Sequence, residues 1–94
     1  MICMDFEWDE SKSEACLVKR GFDFAFATQV FLDPNRFVEV DGRFDYGETR
    51  YRVLGQIGGR IFVVVCTSRR GAQRIISARK ANRKEVARHG QGKG

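Results

Sequence analysis

The densest run of chemistry in this chain is Arg74-Ile75-Ile76-Ser77-Ala78-Arg79-Lys80, three cations and a hydroxyl within seven residues. The planar fork of arginine matches phosphate oxygens two at a time, which suits it to the charge on a pentavalent phosphate. Cutting an RNA phosphodiester without metal needs such cations. It also needs a base for the 2′-OH proton and help for the departing 5′-oxygen. As a strand, the run places Ile75, Ser77 and Arg79 on one face and Arg74, Ile76, Ala78 and Lys80 on the other. The pleat then splits Arg79 from Lys80, and a following helix can carry Arg83 beside either. The same spacing also fits plain exposed cations at a strand end. Glu48 and Arg50, two apart, project from one strand face as a general base with its orienting partner, or as a surface ion pair. Lys19-Arg20 either reach the same cleft or satisfy the end of their own helix. Tyr46 and Tyr51 are able to stack on bases, although Tyr51 suits a core equally well.

Other chemistries are poorly served. One histidine, His89, and three scattered cysteines, Cys3, Cys16 and Cys66, provide no zinc-ligand spacing. The acids Asp41, Asp45 and Glu48 are the one set on which a Mg²⁺ site could be drawn, but they sit around turns, where solvated carboxylates are commonplace. Neither GxSxG nor GxxxxGK[ST] occurs. Cys66 closes an apolar run and reads as a small core residue rather than a thiolate. His89, beside a glycine-rich tail, reads as solvent-exposed. No cofactor is expected.

Charge is divided unevenly along the 94 residues. From Arg60 onward there are ten Lys or Arg against one acid, Glu85, while residues 1–59 carry a net −4. A basic half of this kind points to a polyanionic partner, with a solvated basic surface as the plainer reading. The odd cysteine count, with no basic n-region or long apolar run at the start, leads us to expect a reducing, cytoplasmic setting without an export signal. No stretch approaches the roughly 20 apolar residues of a membrane helix.

The elements that must position these groups read as follows. Phe6-Glu7-Trp8-Asp9 alternates as a short strand with Phe6 and Trp8 on one face. Ser11 or Ser13 caps a first helix, with Glu14 completing a capping box from Ser11, and Gly21 stops it. Asp23 caps a second helix to Phe31, with Phe22, Phe26 and Val30 on one face, ended by Asp33-Pro34. Phe37-Val38-Glu39-Val40 and Thr49 to Ile57 are strands, the latter with Tyr51, Val53, Gly55 and Ile57 on one face. Asp41-Gly42, Tyr46-Gly47, Gly58-Gly59 and Arg70-Gly71 are turns. The apolar run from Ile61 to Thr67 is the central strand. Gln73 to Lys80 is the last strand, and Ala81 to Arg88 a short basic helix. The expected architecture is α+β, an antiparallel sheet with two N-terminal helices on one face and a short C-terminal helix. It forms one domain over residues 1–89 with a flexible tail at 90–94.

Several of these segments together resemble the BrnT toxin family. They are Phe6-Glu7-Trp8-Asp9-Glu10 with Lys12, Lys19-Arg20-Gly21, Val30-Phe31-Leu32-Asp33-Pro34, and Arg43-Phe44-Asp45-Tyr46-Gly47-Glu48 with Arg50. Gly55, Val63-Val64-Val65-Cys66-Thr67 and Arg74 to Ala81 follow in order. The resemblance implies a RelE-like α+β fold and a cofactor-free ribonuclease. It also implies a cytoplasmic complex with a BrnA-like ribbon–helix–helix antitoxin, through which the pair binds operator DNA. Four positions depart from the family's usual residues. Arg20 stands for a histidine and Cys16 for an asparagine, and Cys66 and His89 each stand for a tyrosine. Arginine cannot serve as a base at neutral pH.

The expected function is therefore an RNA endonuclease held inactive by a protein antitoxin. Glu48, Arg50, Arg79 and Lys80 are the expected catalytic group. Arg79 and Arg50 would stabilise the phosphate, with Glu48 as base. Lys19, Arg20, Arg69, Arg74 and Arg83 are expected to bind RNA. The alternatives are a non-catalytic nucleic-acid-binding module and a structural subunit whose Phe22, Phe24 and Phe26 dock another chain.

Overall fold

A computed structural model describes residues 5–42 and 47–91. The sequence-based assignments at Cys3, Arg43, Phe44, Asp45, Tyr46 and the end of the tail lie outside the described residues. The order is β1 (Asp5–Trp8), α1 (Glu10–Arg20), α2 (Phe24–Ala27), a 3₁₀ turn (Thr28–Leu32), β2 (Phe37–Asp41), β3 (Arg50–Ile57), β4 (Arg60–Arg69), β5 (Ala72–Lys80) and α3 (Arg83–Gln91). The strands form one five-stranded sheet in the order β1-β5-β4-β3-β2.

The sheet is mixed, which corrects the expectation of an antiparallel one. β1 runs parallel to β5, with Phe6 beside Gln73 and Trp8 beside Ile75. The intervening helices carry the chain across, as a parallel connection requires. The remaining pairs are antiparallel. β4 is central and buried from Phe62 to Thr67, the place its unbroken apolar run demands. Its two hairpins turn on residues in the left-handed region: Gly58 (φ 56°) and Gly59 (φ 85°) before it, Arg70 (φ 50°) and Gly71 (φ 84°) after it. Two consecutive residues of positive φ match the twist of the flanking strands.

Helix α1 is capped by Asp9, not by Ser11 or Ser13. The Asp9 carboxylate accepts from the Ser11 backbone N–H at 2.9 Å and from the Ser11 hydroxyl at 2.6 Å. An aspartate at this position also meets the positive end of the helix dipole, which a serine does not. Ser13 is buried instead, and its hydroxyl accepts from the Phe24 N–H at 3.0 Å, tying α1 to α2. Gly21 (φ 86°) ends α1 with its N–H on Leu17 O. The second helical segment is shorter than its periodicity predicts. Asp23 caps it, but after Ala27 it tightens into the 3₁₀ turn.

Cys16, Phe24, Ala27 and Val30 pack with Val53, Val64, Cys66, Ile75 and Ala78 into the main core. The tightest approach is at Gly55, where a Cβ would lie 2.6 Å from both Cβ and O of Val30. Phe22 and Phe24 are buried, with Phe22 edge-on to Phe62 at 5.0 Å. They serve this chain's own core, so of the three phenylalanines expected as a docking face only Phe26 keeps an exposed side.

On the other side of the sheet the side chains alternate with those of the core. There Leu54 and Val63 are fully buried, and a chain of ion pairs runs Arg52–Glu39–Arg88–Glu85–Arg79. α3 extends to Gln91, past the predicted end at Arg88. His89, expected to be exposed, is 4 % exposed. Its Nε2 lies 2.8 Å from Asp33 Oδ2, which also accepts from the Gln56 N–H. Burial pushes the Asp33 carboxyl up. The hydrogen bonds from Asn35, His89 and Gln56 outweigh this and hold it below the usual carboxylate range.

Candidate functional site

The final strand does not keep a simple pleat. In the β4–β5 ladder Cys66 faces Ile75, but the preceding Val65 faces Ser77, so Ile76 is an extra residue. This β-bulge puts Ile75 and Ala78, three apart, in the same core. Ile75 therefore does not share a face with Ser77 and Arg79 as strict alternation predicts. The bulge re-aims everything from Ser77 to Lys80.

At its end β5 meets the C-terminus of α1. Arg20, Phe22, Arg79 and Lys80 line a cavity of about 300 Å³ there. A second cavity of about 240 Å³ adjoins it through Arg20 and takes in Lys12, Lys19 and residues 76–78 of β5. Four of the predicted residues, Lys19, Arg20, Arg79 and Lys80, thus border one cationic cleft. The described residues lining these two cavities include no carboxylate and no imidazole.

The Arg79 guanidinium is held in place. Its Nη1 and Nη2 donate to the two Glu85 oxygens, both at 2.7 Å. Glu85 is 3 % exposed and is itself locked by a reciprocal cap. Asn82 N–H donates to Glu85 Oε1, and Glu85 N–H donates to Asn82 Oδ1, each at 2.9 Å. The hydrogen bonds from Arg79, reinforced by Asn82 N–H and the charge of Arg88, hold the Glu85 carboxyl down at about 2 against the opposing effect of burial. From the sequence Glu85 stands out only as the one acid of the basic half, although Asn82-Arg83-Lys84-Glu85 carries the capping-box spacing. A charged Glu85 stabilises the fold, and that contribution is present above the usual glutamate pKa near 4.5. It is lost as pH falls from there towards about 2. With Arg79 partly solvated, the loss is expected to be roughly 2 kcal/mol. Denaturant titrations at pH 5 and pH 2.5 check this, because Glu85→Gln is expected to lose much less over that interval than wild type.

The other predicted residues lie elsewhere. Glu48 accepts from Arg69 Nη2 at 2.9 Å and sits 3.5 Å from Arg50 Nε. Those contacts, led by the Arg69 hydrogen bond, hold its carboxyl below its ordinary value. Arg79 faces Val63, which faces Leu54, four residues along β3 from Arg50. That is about 13 Å along the strands, with β4 in between. Glu48, Arg50 and Arg69 therefore form a separate cluster and do not converge with Arg79 and Lys80. Arg74 pairs with Glu7 of β1 at 3.5 Å, and Arg83 is exposed at the start of α3. Cys16 and Cys66 are buried thiols whose pKa burial raises, that of Cys66 to about 11. Among the described residues no group of three His, Cys, Asp or Glu comes together as a metal site, and no helix is long and apolar enough to cross a membrane.

A small basic α+β domain with a cationic cleft at the end of its last strand is the frame in which the comparison with known families falls. Residues 8–85 match the family described as the ribonuclease toxin, BrnT, of a type II toxin-antitoxin system. The chain belongs to this family, whose members work opposite an antitoxin. No curated protein matches the chain.

Proposed function

We propose that this protein is a metal-independent RNA endonuclease of RelE-like design that acts in the cytoplasm and is neutralised by a BrnA-like ribbon–helix–helix antitoxin. The observation that carries the reading is the cleft where Arg20, Arg79 and Lys80 meet, with the Arg79 plane fixed by Glu85. Three cations against one paired carboxylate leave a net positive site for a scissile phosphate. Fixed donors aimed at developing charge are worth more than mobile ones. Lys19 and Lys12 extend the positive rim along α1 for the flanking backbone. With no side-chain base among the described lining residues, the 2′-OH proton passes to solvent in this reading, and cleavage is expected to accelerate as pH rises from 6 to 9.

The test is cleavage of a labelled, ribosome-free single-stranded RNA in excess EDTA by wild type and Lys80→Ala. Lys80 is exposed, so its removal spares the fold. Wild type is expected to cut in chelator, with the variant slower by about 10- to 100-fold. Cutting that appears only when Mg²⁺ is restored overturns the metal-free reading. Salt-sensitive binding without turnover points instead to a non-catalytic nucleic-acid-binding module.

A further inference from the structure

The compartment beyond Arg20 differs in character from the phosphate site. Its walls are Ala15, Cys16 and Phe24 on the helical side and Ile76, Ser77 and Ala78 on the strand side. Cations stand at its rim, and its interior is small, largely apolar and edged by backbone. β1 stops opposite Ile75, so the outer edge of β5 beyond that point has no strand beside it. The bulge at Ile76 falls in this open stretch. Cys16 Sγ reaches the Ala78 carbonyl at 3.5 Å, which shows that this carbonyl faces the helix rather than β4. Ala15 is exposed on α1, and Ala78 on the strand side directly precedes Arg79.

We infer that this compartment is a nucleobase subsite, which takes one unpaired base next to the scissile phosphate. The inference rests on the nuclease reading of the adjoining cleft. Three features match an unpaired base: apolar walls for its flat face, the open strand-edge backbone of residues 76–78 for its polar edge, and lysines for the phosphates on either side. Unstacked bases of single-stranded RNA are read in this way, by stacking and by hydrogen bonds to their edges. The room arises because the chain turns into α1 at the Asp9 cap, which ends β1 opposite Ile75 and leaves the edge of residues 76–78 open. Ala15 is then a specificity-determining residue, facing that edge across the compartment.

The experiment uses four oligodeoxythymidylates that each carry one ribonucleotide, A, C, G or U, so that base identity varies at a single cleavable position. Wild type is expected to show a spread of about tenfold or more in kcat/KM between best and worst base. Ala15→Leu and Ala15→Phe, which fill the compartment to increasing depth from an exposed helical position, are each expected to narrow the spread below about threefold. Both are also expected to retain the wild-type dependence on salt, which reports phosphate contacts. A wild type indifferent to the base, or variants that keep the full spread, overturns the subsite. Anisotropy binding to 2′-O-methyl versions of the same oligonucleotides separates the two readings. Base-selective binding that Ala15→Leu abolishes, with no cleavage by any protein, upholds the subsite and sinks the nuclease. Cleavage with no selectivity by either measure does the reverse.

Discussion

Arg79→Ala is expected to lose RNA cleavage by about 100- to 1,000-fold, the usual cost of deleting one fixed donor at a developing charge, and to destabilise the fold at the same time. The second effect follows from Glu85. With both oxygens on Arg79 at 2.7 Å and only 3 % of the residue exposed, Glu85 is left as a buried carboxylate short of its main partner. Breaking a buried pair costs about 3–5 kcal/mol, and the partial exposure of Arg79 brings the expectation here to about 2–3 kcal/mol. The two effects separate in a double mutant. Arg79→Ala/Glu85→Gln removes the stranded charge while retaining the side-chain carbonyl that accepts from Asn82. It is expected to regain most of the stability and none of the activity. Urea unfolding beside EDTA cleavage assays reads both. Recovered cleavage in the double mutant would show that Arg79 acts only through folding.

Gly55→Ala is expected to be the most damaging single-methyl change, at about 3 kcal/mol or more. The added Cβ would lie 2.6 Å from Val30 Cβ, 2.6 Å from Val30 O and 2.7 Å from Val30 Cα. Two of those atoms are backbone, so no rotamer change relieves the clash, and Val30→Ala does not rescue it. The 3₁₀ turn must lift off β3, which opens the core around Val53 and Val64. Overpacking of a close-packed interior costs about 1–3 kcal/mol, and more where backbone has to move. For a domain of this size 3 kcal/mol lowers the thermal midpoint by more than about 10 °C. A midpoint within 3 °C of wild type would mean that the turn is looser than its packing indicates.

Local signals were enough for much of this architecture. The alternation at Phe6 and Trp8, the turn dipeptides Gly58-Gly59 and Arg70-Gly71 at the hairpins, the αL stop at Gly21 and the unbroken apolar run of β4 each depend on near neighbours. All of them appear where the sequence places them. The family blocks are read from local sequence too, and residues 8–85 match the BrnT family. The failures have one cause in common, a partner distant in sequence. Ser13 reads as a helix cap until the Phe24 N–H, eleven residues on, claims its hydroxyl. His89 looks exposed until Asp33, 56 residues away, takes its ring.

The composition of the cleft was likewise within reach of the sequence, since Lys19-Arg20 and Arg79-Lys80 stand out as cationic pairs. What the chain itself determined is that this is a basic α+β domain of the BrnT family with its cations gathered late in the sequence. Charge, periodicity and turn chemistry are properties of short segments, so they survive without coordinates. Only the tertiary structure decided which cations share a site. Strand register sets Arg50 about 13 Å along the sheet from Arg79, and Glu48 lies beyond Arg50 at the start of β3. The bulge at Ile76 moves every later side chain of β5 to the opposite face from simple alternation. Glu85 comes to Arg79 because α3 folds back over the sheet. A one-residue change of register reverses which way every following side chain points, and register is set by the neighbouring strand rather than by the segment's own residues.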